Sequence, residues 1–275
     1  MEPETFTIIT NDGLELVGNW WQPKVNPVGV VCLVHGLGEH QGRYQHVIDH
    51  LGQDLAFFTY DQRGHGKSPG KRGHAKSFNH LLDDVENLLK IARREYNSLP
   101  IYLYGHSMGG NIVANYLLRR VTNELAGAVL SSAFFHLAFE PPSWKLKLGQ
   151  IMASLWPSFT QSNELDPSDL STDPEVGKAY LADPLVHNKI SAGLFFALLE
   201  SGNWALYNTH LLKLPVLVMH GTSDSITSPG GSEKFFQNAG SYATLKLWEG
   251  MKHETHNEIE KDQVLDYIKE WLLKK

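Results

Sequence analysis

The run Gly105-His106-Ser107-Met108-Gly109 sets a serine between two glycines, after the apolar residues 101–104 and before a stretch of helical period. A serine on so sharp a strand-to-helix turn is a nucleophile elbow: the flanking glycines leave room for the crossing strand and helix, and the hydroxyl projects toward substrate. The chemistry this suits is attack on an acyl carbon through a covalent intermediate. The G-x-S-x-G pattern arises by chance in long chains, so the partners and the flanking elements decide its meaning.

A serine hydroxyl needs a base to take its proton, and the base needs an orienting carboxylate. Downstream, the apolar run 216–219 ends in His220-Gly221-Thr222-Ser223-Asp224, and the run 244–248 ends in Glu249-Gly250-Met251-Lys252-His253. Each places its acid or base on a loop leaving a strand at the same edge as Ser107. We read Asp224 as the acid and His253 as the base, with His256 a rival three residues on. Asp173 and Asp183 lie in a region without strand signals and are worse placed. Two backbone donors must face the oxyanion of a tetrahedral intermediate. Met108, at the helix start, supplies one, and Leu37, in the glycine-flanked loop after the run 28–34, is the best candidate for the second.

The elements that would position these groups follow a simple alternation. Period-two patterning in 5–10 and 14–20, broken by Asn11-Asp12-Gly13, predicts an edge hairpin. Short apolar runs at 28–34, 55–60, 101–104, 125–130, 216–219 and 244–248 predict strands buried on both faces. Segments of helical period at 44–53, 78–96, 108–121, 232–239 and 258–273 lie between or after them, which predicts an α/β fold: a mostly parallel sheet with helices on both sides. Asp83-Asp84-x-Glu86 suits the positive end of the second helix. Residues 136–210 break the rhythm, with no convincing strand, repeated prolines and large apolar side chains at 144–159 and 194–199. We read them as a helical cap inserted into a core formed by 1–135 and 211–275.

With 275 residues, 42% hydrophobic, the chain can bury a large single core. A net charge of −6 without basic runs argues against nucleic acid as a partner. The single cysteine, Cys32, sits in an apolar run and reads as a buried thiol. Met1-Glu2-Pro3-Glu4-Thr5 lacks a signal-like apolar core, and no run approaches the ~20 residues of a membrane span, so a soluble cytoplasmic protein is expected. The histidine pairs lack metal-site spacing, and no metal or cofactor is expected.

The chain resembles the monoacylglycerol lipase and lysophospholipase branch of the α/β-hydrolase superfamily, also labelled serine aminopeptidase-like. The likeness rests on His35-Gly36-Leu37-Gly38-Glu39-His40-x-Gly42-Arg43-Tyr44, Asp61-x-Arg63-Gly64-His65-Gly66-x-Ser68, Gly105-His106-Ser107-Met108-Gly109-Gly110, His220-Gly221-x-x-Asp224 and His253-x-x-His256-x-Glu258. It implies the α/β-hydrolase fold with a helical cap, Ser107, Asp224 and His253 as a triad, and the Leu37 and Met108 backbones as the oxyanion hole. It further implies that Glu39, Arg43 and His256 line a polar pocket for a glycerol leaving group, although Glu39 and Arg43 also read as a pair bracing the oxyanion loop. Asp61, Arg63 and His65 read as structural.

The leading expectation is a serine esterase cleaving monoacylglycerols, a small-molecule lipid ester, into glycerol and fatty acid. Each acyl methylene enclosed by an apolar cap would contribute about 0.8 kcal/mol, favouring lipid over acetyl esters. Lysophospholipase and broad carboxylesterase activity are the alternatives within enzymes, and a non-catalytic ligand-binding protein of the same fold is a remote one. Transient membrane contact through the cap is expected from the apolar residues at 144–159.

Overall fold

A computed structural model describes residues 2–274; Met1 and Lys275, the outer limits of the expected core segments, lie outside the described residues. The chain runs β1 (Glu4–Ile9), β2 (Glu15–Trp21), β3 (Gly29–Val34), α1 (Gln45–Leu51), β4 (Leu55–Tyr60), α2 (Phe78–Glu95), β5 (Ile101–His106), α3 (Met108–Arg119) and β6 (Leu125–Ser131). It continues through α4 (Ser143–Leu155), β7 (Thr160–Ser162), α5 (Pro174–Ala182), β8 (Lys189–Ser191), α6 (Ala192–Tyr207), β9 (Val216–Gly221), α7 (Pro229–Ala239), β10 (Ala243–Trp248) and α8 (Lys261–Leu273).

One eight-stranded sheet, in the order β1-β2-β4-β3-β5-β6-β9-β10, forms the centre. β2 pairs antiparallel with both β1 and β4; the remaining pairs are parallel. The apolar runs are strands because both sides of each are covered. In β3, Val30, Cys32 and Val34 pack with residues of α2 and α3 such as Leu82, Val85 and Ile112, while Val31 and Leu33 pack with Val47 and Ile48 of α1 and Val264 and Ile268 of α8. A strand fed from two sides has no polar face to alternate, and so reads as one continuous hydrophobic run. Parallel order brings the carboxyl ends of β3, β5, β9 and β10 to one edge, where the loops carrying Leu37, Ser107, Asp224 and His253 emerge.

Residues 136–210 differ from the strand-free expectation. β7 and β8 form a separate antiparallel pair, Thr160 opposite Ser191 and Ser162 opposite Lys189. Three residues a side, largely polar, leave too little periodicity to read. The inserted segment also divides in its packing. α4 has no buried residue, whereas α6 is fastened to α3: Asn111 Nδ2 donates to the Leu198 carbonyl (2.9 Å), Ser201 Oγ donates to Asn111 Oδ1 (2.9 Å), and Asn115 Nδ2 donates to the Ser201 carbonyl (3.1 Å). Arg119 lies over the Trp204 ring at 3.7 Å. Buried polar groups satisfied in this way fix register, so α6 is anchored to the core while α4 lies outside it.

The last helix starts at Lys261 rather than near 258. The Glu258 carboxylate is engaged elsewhere, accepting from Lys252 N (2.6 Å), Thr172 N (2.9 Å) and the hydroxyls of Ser171 and Thr172. Asp83, Asp84 and Glu86 lie beyond the first turn of α2, not at its positive end as expected, because the helix starts at Phe78; Asp84 is buried and takes two hydrogen bonds from Arg63, which also reaches Asp12 in the hairpin turn.

Candidate active site

Ser107 sits between β5 and α3 with φ 54° and ψ −117°. A non-glycine residue held there carries strain on the order of 1–3 kcal/mol, sustained only by its surroundings. Those surroundings are visible: Ser107 N donates to the Ser131 carbonyl (2.9 Å), and the Ser107 carbonyl accepts from Phe134 N (3.0 Å) and Asn111 N (3.1 Å). The glycines are required by space. A Cβ on Gly105 would lie 2.4 Å from the Gly109 carbonyl oxygen, and one on Gly109 would lie 2.0 Å from that of Val34.

Asp224, on the loop after β9, meets His253, on the loop after β10, through Oδ2 and Nδ1 at 2.7 Å. The same Oδ2 accepts from His220 Nε2 (3.0 Å) and Thr227 Oγ1 (2.9 Å), and Oδ1 accepts from the amides of Ile226 (2.8 Å) and Thr227 (3.0 Å). Burial alone would raise the Asp224 carboxyl, but the charge of His253 and the bonds from both imidazoles hold it far below the usual carboxylate range. Burial pushes His253 down, but Asp224 outweighs it, with Glu254 and Glu39 adding to the effect, so the ring sits above the ordinary imidazole value. With Nδ1–H committed to Asp224, Nε2 is the nitrogen left to exchange a proton. The His253 ring and Ser107 line the same cavity.

Leu37 and Met108 line that cavity too. The loop bearing Leu37 is held from beneath: Glu39 Oε1 accepts from Gly36 N (2.5 Å) and from the Tyr44 hydroxyl (2.7 Å). From the inserted segment, His187 N donates to the Gly38 carbonyl (2.8 Å), and His40 Nε2 lies 2.8 Å from Asp183 Oδ2. Asp183 thus ties the insertion to the core, and Asp173 caps α5 by accepting from Glu175 N.

Glu39 and Arg43 both line the cavity, and they are joined by a residue that the sequence did not single out. Arg43 Nη1 donates to Glu39 Oε2 (2.7 Å) and to Glu254 Oε1 (2.6 Å), and Nη2 donates to Glu254 Oε2 (2.7 Å). The only signal for Glu254 was its place next to His253. His256 departs from its expected place in a polar pocket. It is fully buried and absent from the cavity wall, its ring stacked on Tyr44 at 5.0 Å and edge-on to His106 at 4.8 Å. The single 3-10 turn Thr255–Asn257 rotates it inward, behind the loop. Burial, with His106 beside it, drives its basicity well below normal. His253 shares the cavity lining with Ser107, and His256 does not.

The cavity holds about 530 Å³ and opens beneath α4 and α6. Leu148, Met152, Phe159, Phe195, Leu198 and Ile226 contribute apolar wall. Among the described residues, no group of three or more His, Cys, Asp or Glu side chains is arranged to hold a metal ion.

Residues 25–260 match the serine aminopeptidase S33 family. The chain belongs to this family. Within this S33 group, the chain is 36% identical to the monoacylglycerol lipase of Mycolicibacterium smegmatis, over 95% of this chain and 94% of that one, and 30% identical to the human monoglyceride lipase, over 92% and 84%. It also matches an abhydrolase domain-containing protein of Dictyostelium discoideum at 37% identity, spanning 29% of that protein's length. Among solved structures, the Paleococcus ferrophilus monoacylglycerol lipase superposes with a TM-score of 0.85 at 34% identity, covering 94% of this chain and 99% of that one. A monoglyceride lipase of Saccharomyces cerevisiae in complex with a substrate analogue gives 0.87 at 28%, covering 100% and 95%. The S33 chain described here therefore has the α/β-hydrolase fold and is a serine ester hydrolase.

Proposed function

We propose that this enzyme hydrolyses monoacylglycerols through an acyl-enzyme on Ser107. The observation that carries the reading is the cavity itself: an apolar wall supplied by the inserted segment, with Ser107 and His253 in its lining and the charged side chains of Glu39 and Arg43 beside them. A long acyl chain needs the first, and a glycerol group the last.

The Ser107 oxygen attacks the ester carbonyl as His253 Nε2 takes its proton, and Asp224 holds the resulting imidazolium. The Leu37 and Met108 amides face the oxyanion. Collapse breaks the bond to glycerol, which leaves with the proton from His253. Water, deprotonated by His253, then attacks the acyl-serine and releases fatty acid, returning the proton to Ser107. Glu39 and Arg43 stand beside the leaving group; His256 does not reach it. Lipases among the relatives, named for monoglycerides, support this substrate class.

The test is release of glycerol and fatty acid from a long-chain monoacylglycerol, with Ser107→Ala in parallel and lysophosphatidylcholine as a second substrate. Release that vanishes in the variant supports the proposal. Cleavage of lysophosphatidylcholine alone would move the function to a lysophospholipase with the mechanism intact.

A further inference from the structure

The geometry points to Glu254 as a positioning residue that ties the base loop to the oxyanion loop through Arg43. This rests on the Ser107 mechanism proposed above, though not on the identity of the ester.

The connection can be followed atom by atom. His253 is adjacent to Glu254, whose two carboxylate oxygens each accept from Arg43, at 2.6 and 2.7 Å. The shared Arg43 Nη1 also donates to Glu39, and Glu39 accepts from Gly36 N, one residue before Leu37. The base and one oxyanion donor thus hang from opposite ends of a single buried ion cluster. Glu254 has further anchors: Oε2 accepts from Asn257 Nδ2 (2.7 Å), and its backbone N–H donates to the Leu170 carbonyl in the inserted segment (2.7 Å).

Two facts argue that this is more than a brace. The cluster sets two carboxylates against one guanidinium, all with side chains about a tenth exposed or less. A buried group with surplus charge is no optimum for stability, and apolar side chains of similar volume would pack as well or better. The surplus negative charge also lies beside the base. The groups facing His253 are Asp224 from the β9 loop, His106 from the end of β5, Glu254 on its own loop, and Glu39 from the oxyanion loop with Arg43 between the two glutamates. Glu254 therefore acts on the base by position and by charge, and the two can be separated.

The experiment compares Glu254→Gln, which keeps reach and loses charge, with Glu254→Asp, which keeps charge and loses the two-pronged reach to Arg43. Both are assayed in the full chain with a soluble p-nitrophenyl ester across pH, with folding checked by circular dichroism and active sites titrated by a fluorophosphonate. A base is active when neutral, so removing a neighbouring negative charge lowers the pH at which His253 becomes competent. The Gln variant is expected to lose kcat about 10- to 100-fold with KM little changed, and its acid limb should move to lower pH. The Asp variant should lose kcat while its acid limb stays in place. Unchanged kcat in both, or a loss confined to KM, overturns the proposal. If the Gln variant does not fold, the Asp variant decides alone: wild-type kcat refutes the positioning role. An activated ester keeps this test apart from the substrate proposal, since failure to cleave monoacylglycerol would leave the nitrophenyl readout standing.

Discussion

Asp224 Oδ2 and His253 Nδ1 are 2.7 Å apart at the carboxyl ends of neighbouring strands, and that one oxygen also serves His220 and Thr227. The arrangement fixes which His253 nitrogen carries a proton in the resting state. Asp224→Asn would present an amide able to donate where the ring must donate, and so favour the wrong tautomer. We expect kcat to fall about a thousandfold to ten-thousandfold. A pH profile should accompany it, since wild type should have an acid limb above the ordinary imidazole value of about 6.5. An acid limb below that value in wild type would contradict the arrangement.

Arg63 and Asp84 form a further buried ion pair, joining the loop after β4 to the second turn of α2, with Asp12 of the hairpin turn as a third member. Burial raises the Asp84 carboxyl, and Arg63 offsets that cost. Arg63→Met leaves the carboxylate buried and unpaired. The expected loss is about 3–5 kcal/mol in urea unfolding. The folded fraction should retain its kcat, because neither residue lines the cavity. A loss under about 1 kcal/mol would mean that Asp84 finds another partner or simply protonates.

What the sequence made legible was local or carried by many residues. β3 and β5 are readable because both faces are buried, and the turn at Ser107 because Gly105 and Gly109 are needed within a few residues of it. The pairing of Asp224 with His253 followed from each ending a strand in a parallel sheet. What it hid was long in sequence and short in space. Arg43 and Glu254 are separated by 211 positions, and no periodicity links them. Asp84 was readable as a helix-end charge, yet Arg63 on another element is its partner. His256 shares a motif with His253, but one tight turn between them points the two rings to different sides of the loop.

Among the described residues seven histidines are held down by burial, His106 and His187 each to about 4. His187, in the inserted segment, lies with its ring 4.7 Å from His65 and its Nε2 3.0 Å from the Gly64 carbonyl, with Arg72 and His35 nearby. An unfolded histidine takes up its proton near pH 6.5, whereas these two resist until about 4. Their contribution to stability is therefore present above about pH 6.5 and is lost as pH falls through 4. The fully buried His106 alone accounts for about 3 kcal/mol across that window. Urea unfolding free energies should drop steadily between about pH 7 and about pH 4.5, and His187→Asn should flatten the slope. A flat wild-type profile over that range would contradict the burial of these rings.

Among the described residues no helix is long and apolar enough to cross a membrane, yet α4 exposes Ile151 at 54% and Leu155 at 80%. Neither lines the cavity that holds Ser107 and His253; both border a separate shallow depression. Trp144 in α4 and Trp156 just after it are also exposed, at 63% and 56%, so large apolar side chains are displayed along a helix with no buried residue. Such a display suits shallow insertion at a lipid surface. If each of the two aliphatic side chains contributes roughly 1.5 kcal/mol there, replacing both with glutamate weakens partitioning about a hundredfold. The double variant Ile151→Glu/Leu155→Glu should lose liposome binding and activity on monoacylglycerol presented in vesicles. Its kcat/KM on a short soluble ester should be unchanged, because the cavity is untouched. Equal vesicle binding by wild type and variant would remove the membrane role from Ile151 and Leu155.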